Sequence, residues 1–232
     1  MAAKIDFFVS EAEKRLLNQF PDIEGEAEAF AEQEFERLGT ILDPERFDLA
    51  DAAEMAHDRS LERYQLLSDM QRDIILTLAT ALYHDWEKEL REWLVRELAH
   101  NFDMTKLEPR LWAINITELL DFLKALGWDP RLLSDFRHVE DCRLVVNVFK
   151  HGLGRSFEEL KANAPQFLKS DFLSEAQFLK YADHRSISIS LEDLRDFQRG
   201  LKQFWLELPE NIFWSDNIVA PTWFEKALAK KP

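Results

Sequence analysis

Four polar residues interrupt an otherwise apolar segment that ends at Gly152: Arg143, Asn147, Lys150 and His151. On a helix, the last three lie about 40°, −20° and 80° from Arg143, so all four share one stripe. The rest of the circumference is apolar, with Leu144, Val145, Val146, Val148 and Phe149. Such a helix is expected to be buried, and a polar stripe on it needs partners, a cleft or a ligand. The stripe is therefore the candidate functional site.

The four residue types suit metal-independent cleavage of RNA. That reaction needs a group that moves protons between the ribose 2′-oxygen and the leaving oxygen, and cationic donors for the charge on phosphorus. A histidine such as His151 can both donate and accept a proton, and a position at a helix C-terminus is expected to favour a positive charge. Arg143 and Lys150 are cationic donors, and the amide of Asn147 could orient the histidine or hold a phosphate.

A purely structural role is the alternative interpretation of the same stripe. Lys150 and His151 are residues that a helix places in its last turn to complement the macrodipole. Arg143 could pair with Glu140 on the same face, and Asn147 could satisfy a buried backbone group. Spacing alone leaves both interpretations open.

The composition predicts an all-α protein with a single multi-helix domain. The chain has 232 residues, 46% of them hydrophobic, and only six glycines. Residues that favour helix dominate, and the one convincing strand-like segment is 185–190. Cys142 is the only cysteine, so an internal disulfide and a zinc site built from cysteines are excluded. The other histidines are too scattered to predict a metal site, and no cofactor is predicted: His57, His84, His100, His138 and His184.

The charge pattern bears on location and partners. A net charge of −15 argues against broad, nonspecific adhesion to nucleic acid, although it allows a local basic cleft. The acidic excess includes the segment 24–36, which is interpreted as a solvated helix face in preference to a docking surface for a basic partner. The sequence shows no export signal and no membrane-spanning segment, so we expect a cytoplasmic protein.

Hydrophobic periodicity and capping residues place the predicted elements. Gly39, Gly127 and Gly152 are expected to end helices, with Gly154 also in the exit after Gly152. Asp129 and Ser156 are expected to begin helices. The predicted helices cover 5–20, 24–38, a long region from 48 or 51 to 99, 111–126, 129–151, a short helix from 156 to about 165, and 190 to about 208. Residues 1–232 are interpreted as one domain, in which 1–48 form an N-terminal extension.

The pattern Asn147-x-x-Lys150-His151-Gly152, with Arg143 one turn earlier, resembles the signature helix of the HEPN-like superfamily. That all-α superfamily contains many bacterial toxin and abortive-infection ribonucleases. Its members usually carry an arginine, a polar residue and a histidine four positions later, and Asn147 and His151 match the last two. The family's arginine commonly sits directly before the polar residue, where this chain has Val146.

A second segment adds to the resemblance, which extends over about 70–154. The stretch from Tyr83 to Leu90 is similar to the aromatic and acidic helix that packs beside the signature helix. The resemblance implies that Glu87 supports the site by receiving Arg143 or Lys150. The alternative is that Tyr83 and Leu90 belong to the core and Glu87 to a solvated flank.

The resemblance implies a metal-independent ribonuclease of a bacterial defence or toxin system. Its substrate would be RNA, and its partner an antitoxin or another protein. HEPN-like proteins usually work as homodimers, so two copies of Arg143 and His151 would form a composite site. The competing hypothesis is a non-catalytic helical module that binds another protein through its acidic surface.

Overall fold

The computed structural model describes residues 1–42, 48–168, 178–210 and 219–228. It confirms the all-α prediction, and the described part of the chain contains no strand. Ile187, in the strand-like segment, forms only an isolated antiparallel bridge with Leu168. The α-helices are α1 (Ala2–Arg15), α2 (Ile23–Ile41), α3 (Leu49–Ala99), α4 (Met104–Ala113), α5 (Ile116–Ala125), α6 (Phe136–His151), α7 (Arg155–Asn163), α8 (Leu191–Leu206) and α9 (Thr222–Leu228).

Two compact units make up the chain, and their boundaries fall within α1 and α3. The core unit comprises Met1–Val9 and Leu78–Pro232, and the acidic unit comprises Ser10–Thr77. The acidic unit carries 18 Asp and Glu against 7 Lys and Arg, a net charge of −11 out of the −15 of the whole chain. No helix in the described residues is both long and apolar enough to span a membrane.

The long helix α3 confirms the prediction from periodicity. Its second half buries the expected i, i+3/i+4 stripe, including Ala79, Trp86 and Leu90. The indole of Trp86 packs edge-on against the ring of Phe204 in α8, with 5.0 Å between centroids. Burial of this apolar stripe holds the second half of α3 in the core unit.

Two helices replace the single one predicted over 111–126. Asp103 starts α4 by accepting a hydrogen bond from the Thr105 backbone N–H at 3.0 Å. Asn115 then starts α5 in a capping box: its side chain accepts from the Glu118 N–H at 2.9 Å, and the Glu118 carboxylate accepts from the Asn115 N–H at 3.1 Å. Gly127 follows α5 with a φ of 97°, so this predicted stop is confirmed.

Other predicted helix boundaries differ from the structure for local reasons. Gly39 lies inside α2 without a positive φ, so it is not a cap. Asp129 caps only the 3₁₀ turn Pro130–Leu132, and α6 begins at Phe136 because Leu133 is extended. Ser156 lies in the first turn of α7, after the N-cap Gly154, so the predicted capping box does not form.

Helix α6 is held between other elements of the core unit. It packs against α7 and α8, and four of its predicted apolar residues are buried. Phe149 is the exception to the predicted burial, with 39% of its surface exposed. Gly152 ends the helix with a φ of 69°, and its N–H donates to the Val148 carbonyl at 2.8 Å. Gly154 has a φ of 136°, so the predicted glycine-rich exit from α6 is confirmed.

Candidate functional site

A polar cleft of about 580 Å³ lies beside α6 in the core unit. Arg143 and Asn147 form its α6 side because they are one helical turn apart on the same face. Three other regions complete the walls, and we call this site the α6 cleft. Its remaining lining residues are Tyr83, His84, Glu87 and Arg91 of α3, Ile114 to Glu118 at the α4–α5 junction, and Arg155, Ser156 and Glu159 of α7.

Arg143 is held by two carboxylates, one of them predicted from the sequence. Its Nε donates to Glu140 Oε2 at 2.9 Å, and its Nη2 donates to Glu159 Oε1 at 2.6 Å. Burial acts to lower the pKa of Arg143, but the hydrogen bond with Glu159 and the charge of Glu140 outweigh it and raise the pKa above its ordinary value. The guanidinium is therefore a fixed positive charge that joins α6 to α7.

Glu87 lines the same cleft, but its partner is Arg91 and not Arg143 or Lys150, the two partners that the resemblance implies. Its carboxylate accepts a hydrogen bond from Arg91 Nη2 at 2.5 Å, one turn further along α3. Arg91 is 6% exposed and also donates to the Leu111 carbonyl near the end of α4. The second carboxylate oxygen of Glu87 lies 3.8 Å from His84 Nδ1. Glu87 thus connects the buried Arg91 to His84 on the cleft wall.

His84 is the histidine that lines the cleft. Burial lowers its pKa below the ordinary value, and the nearby charges of Lys150 and Lys88 lower it further, against the opposing effect of Glu87. A histidine with a lowered pKa is largely neutral at physiological pH, so its free ring nitrogen can accept a proton. His84 therefore has the protonation state that a general base requires.

Three polar groups of the cleft are not committed to protein contacts. The side chains of Asn147, Arg155 and Ser156 have no hydrogen-bond or ion-pair partner among the described residues. Arg155 and Ser156 occupy the first turn of α7, whose N-cap Gly154 has no side chain to cap the backbone N–H groups. Free N–H groups at a helix start, an amide and a guanidinium are suited to binding an anion such as phosphate.

Lys150 and His151 share the angular stripe of Arg143 and Asn147 but lie outside the cleft. Both are exposed in the last turn of α6, and neither belongs to the described residues that line the cleft. The rise of 1.5 Å per residue places His151 about 12 Å along the helix axis from Arg143. Lys150 remains close enough to lower the pKa of His84. Arg143 and Asn147 thus line the cleft, whereas Lys150 and His151 are exposed outside it.

Sequence reasoning missed His84, Arg91 and Arg155 as residues of the site. His84 and Arg91 lie on one face of α3 with Glu87; the sequence pattern from Tyr83 to Leu90 draws attention only to aromatic and acidic residues, and Arg91 directly follows that stretch. Arg155 follows directly after Gly154, where a helix start was expected, and this was an available signal for an anion-binding turn. These residues come close to Arg143 through the packing of four chain segments, which cannot be deduced from the sequence.

Comparison with protein-family models, curated proteins and solved structures found no match. Within the described ranges, no group of three or more His, Cys, Asp or Glu side chains could hold a metal ion. The interpretation of the site therefore rests on the residues of the α6 cleft.

Proposed function

We propose that the protein is a metal-independent ribonuclease of a bacterial defence or toxin system and that the α6 cleft is its active site. One observation carries the proposal: the cleft combines the lowered pKa of His84 with the uncommitted side chains of Asn147 and Arg155. The resemblance of the α6 segment to the HEPN-like signature helix supports the same reaction class.

The cleft residues supply a base and phosphate-binding groups for attack by a ribose 2′-hydroxyl. The neutral imidazole of His84 takes the hydroxyl proton, the 2′-oxygen attacks phosphorus, and the bond from phosphorus to the 5′-oxygen breaks. Arg155 and the free N–H groups of α7 stabilise the charge that develops on the phosphoryl oxygens. The products are a 2′,3′-cyclic phosphate and a 5′-hydroxyl, and the leaving oxygen requires one proton.

His151 is the proposed donor of that proton, supplied by a second copy of the chain. It lies exposed at the end of α6, outside the cleft of its own chain. The homodimer implied by the resemblance would bring it to the cleft of the other copy. Glu87 and Arg143 act as positioning residues in this scheme, because Glu87 faces His84 and Arg143 fixes α7 through Glu159.

Cleavage of a labelled single-stranded RNA in the presence of EDTA tests the proposal. We expect His84→Ala to lower the rate by about 100-fold or more. Arg155→Ala should lower kcat more than it raises KM, because Arg155 stabilises charge that develops in the transition state. His100→Ala is the matched control, because His100 is exposed and does not line the cleft. Cleavage that survives both His84→Ala and Arg155→Ala would rule out the α6 cleft as the active site.

Mixing two inactive variants tests the composite site. In a dimer formed from His84→Ala and His151→Ala chains, one of the two clefts retains both histidines. We therefore expect the mixture to regain cleavage that neither variant has alone. Activity that stays absent in the mixture, although the variants are shown to exchange subunits, would contradict a shared site.

A non-catalytic interaction module is the second candidate function, and the pairing of Arg143 favours it. Two carboxylates already neutralise this guanidinium, as expected for an arginine that only joins helices. This candidate predicts that the folded wild type cleaves no RNA and that cleft substitutions leave partner binding unchanged. RNA cleavage that depends on His84 would exclude it.

A further inference from the structure

An exposed stripe of two alanines, a histidine, a leucine and a tyrosine runs along the first part of α3 in the acidic unit. It consists of Ala50, Ala53, His57, Leu61 and Tyr64, and we call it the α3 stripe. Leu61 is 53% exposed and Tyr64 is 46% exposed, so two large side chains lie uncovered on one helix face. At 100° per residue the five positions fall within an arc of about 80°. No lysine, arginine or carboxylate interrupts the α3 stripe.

One border of the α3 stripe is the flank of α3 that packs on α2. Ala52, Ala56 and Ser60 are buried there, and the Ser60 hydroxyl donates to the Ala27 carbonyl at 2.8 Å. Ala52 and Ala56 pack with Leu38 of α2 in a small apolar core. The α3 stripe is therefore continuous with the side of an existing helix–helix contact, which is where a third helix would pack.

The opposite border of the α3 stripe is a row of exposed carboxylates. Asp51, Glu54, Asp58 and Glu62 follow the stripe along the same part of α3, about 40° to 120° from Ala50. Glu54, Asp58 and Glu62 form no ion pair with any described residue. An uncovered apolar stripe beside uncompensated negative charge matches an amphipathic helix that carries lysine or arginine beside its apolar face.

The length and the charge of the α3 stripe and its acidic border favour one kind of binding partner. The α3 stripe spans 15 residues, or about 21 Å of helix axis, which is enough for about four turns of a bound helix. A second copy would place two units of net charge −11 against each other, and this repulsion disfavours a homodimer at the α3 stripe. We propose that the α3 stripe and its acidic border bind a basic amphipathic α-helix of another protein.

Binding of a designed peptide to the full-length protein tests this proposal. The probe is a fluorescein-labelled helix of about 18 residues with leucine along one face and lysine beside it. A scrambled peptide of the same composition, which lacks the leucine face, is its control. We expect the amphipathic peptide to bind at least tenfold more tightly than the scrambled one, by fluorescence anisotropy. Equal binding of the two peptides would overturn the proposal, because it would reflect net charge alone.

Two pairs of substitutions locate the peptide. Leu61→Gln with Tyr64→Gln should weaken binding at least tenfold, and circular dichroism should show an unchanged fold because both side chains are exposed. Glu54→Gln with Asp58→Asn should weaken binding about tenfold and reduce its dependence on salt. An unchanged Kd in the first pair would overturn the proposal.

A third pair and a measurement of mass complete the test. Glu92→Gln with Glu97→Gln makes the same change of charge at exposed positions of α3 in the core unit. We expect this matched pair to bind like the wild type, and a loss as large as that of the acidic-border pair would overturn the proposal. Sedimentation that shows a dimer of the wild type and a monomer of the Leu61→Gln, Tyr64→Gln variant would assign the surface to a second copy instead.

Discussion

Gly200 lies where α8 comes closest to the start of α6, and its replacement by alanine tests the packing that positions the candidate site. A Cβ atom at Gly200 would lie 2.9 Å from the Asp135 carbonyl oxygen, 2.9 Å from His138 Cβ and 3.2 Å from the Val139 nitrogen. Alanine favours the helical state by about 1 kcal/mol, but overpacking of this kind costs about 1–3 kcal/mol. Because two of the three contacts are with backbone atoms that cannot rotate away, the upper half of that range applies. We expect Gly200→Ala to lower the free energy of unfolding by about 1–2 kcal/mol.

Gly39→Ala is the matched control for this prediction. Gly39 also lies within a helix, but a Cβ atom there would meet nothing within 4 Å. The substitution should therefore raise the free energy of unfolding by about 0.5–1 kcal/mol through helix propensity alone. Urea denaturation followed by circular dichroism measures both variants. If Gly200→Ala is as stable as Gly39→Ala, the close approach of α8 to α6 does not exist in solution.

Three further predictions concern charged groups. Lys150→Gln should raise the pKa of His84, because the charge of Lys150 contributes to lowering that pKa. An NMR titration in which the pKa of His84 does not change would show that the two side chains do not interact. Burial raises the pKa of Asp141, so this carboxyl group contributes stability below the ordinary aspartate pKa, and the contribution is lost as the pH rises through the raised pKa. Asp141→Asn should therefore unfold at a higher temperature than the wild type at pH 7 but not in acid. The hydrogen bond from Arg37 is the main cause that lowers the pKa of Glu34 to about 2, so Glu34 stabilises the fold above its ordinary pKa and ceases to do so as the pH falls towards 2. Glu34→Gln should therefore be destabilising at pH 7, by a margin in urea denaturation that narrows below pH 4.

The parts of the fold that follow from local patterns were predictable from the sequence. The apolar periodicity of α3 depends only on its own residues, and the stripe that it predicts from Leu78 to Leu98 is buried except for Trp93, which is half-buried. Gly127, Gly152 and Gly154 were correctly placed at helix exits because a positive φ is a local requirement. Ser190 with Asp193 likewise begins α8 as predicted, in a capping box.

Competing local signals account for the wrong boundaries. The predicted helix begins at 111, but α4 begins at Met104 and accommodates Pro109 in its interior. Asn115 divides the predicted helix in two. Its side chain accepts a hydrogen bond from the Glu118 N–H, and the Glu118 carboxylate accepts one from the Asn115 N–H, so that α5 begins after it. The apolar pattern from Leu111 to Leu126 continues across this capping box, so the periodicity alone predicts one helix where the structure has two.

The candidate site was predictable only on α6. A helical wheel places Lys150 and His151 beside Arg143 but omits the axial distance, which puts them beyond the end of the cleft. His84 and Arg155 come from α3 and α7, and their approach to Asn147 results from tertiary packing. The helical wheel of α6 therefore predicts the cleft side of this helix, whereas His84, the histidine that lines the cleft, comes from α3.

The burial of α6 also accounts for the valine at the position where the HEPN-like pattern, which this sequence resembles, has an arginine. Val146, at the position directly before the polar residue, is completely buried, so an arginine there would place its charge in the core. Arg143, one turn before Asn147, lies on the side of α6 that lines the cleft. The spacing between Arg143 and Asn147 therefore does not decide whether the α6 cleft can be catalytic. Glu140 and Glu159 already pair with Arg143, so the proposed binding of phosphate depends on Arg155, whose guanidinium has no ion-pair partner among the described residues.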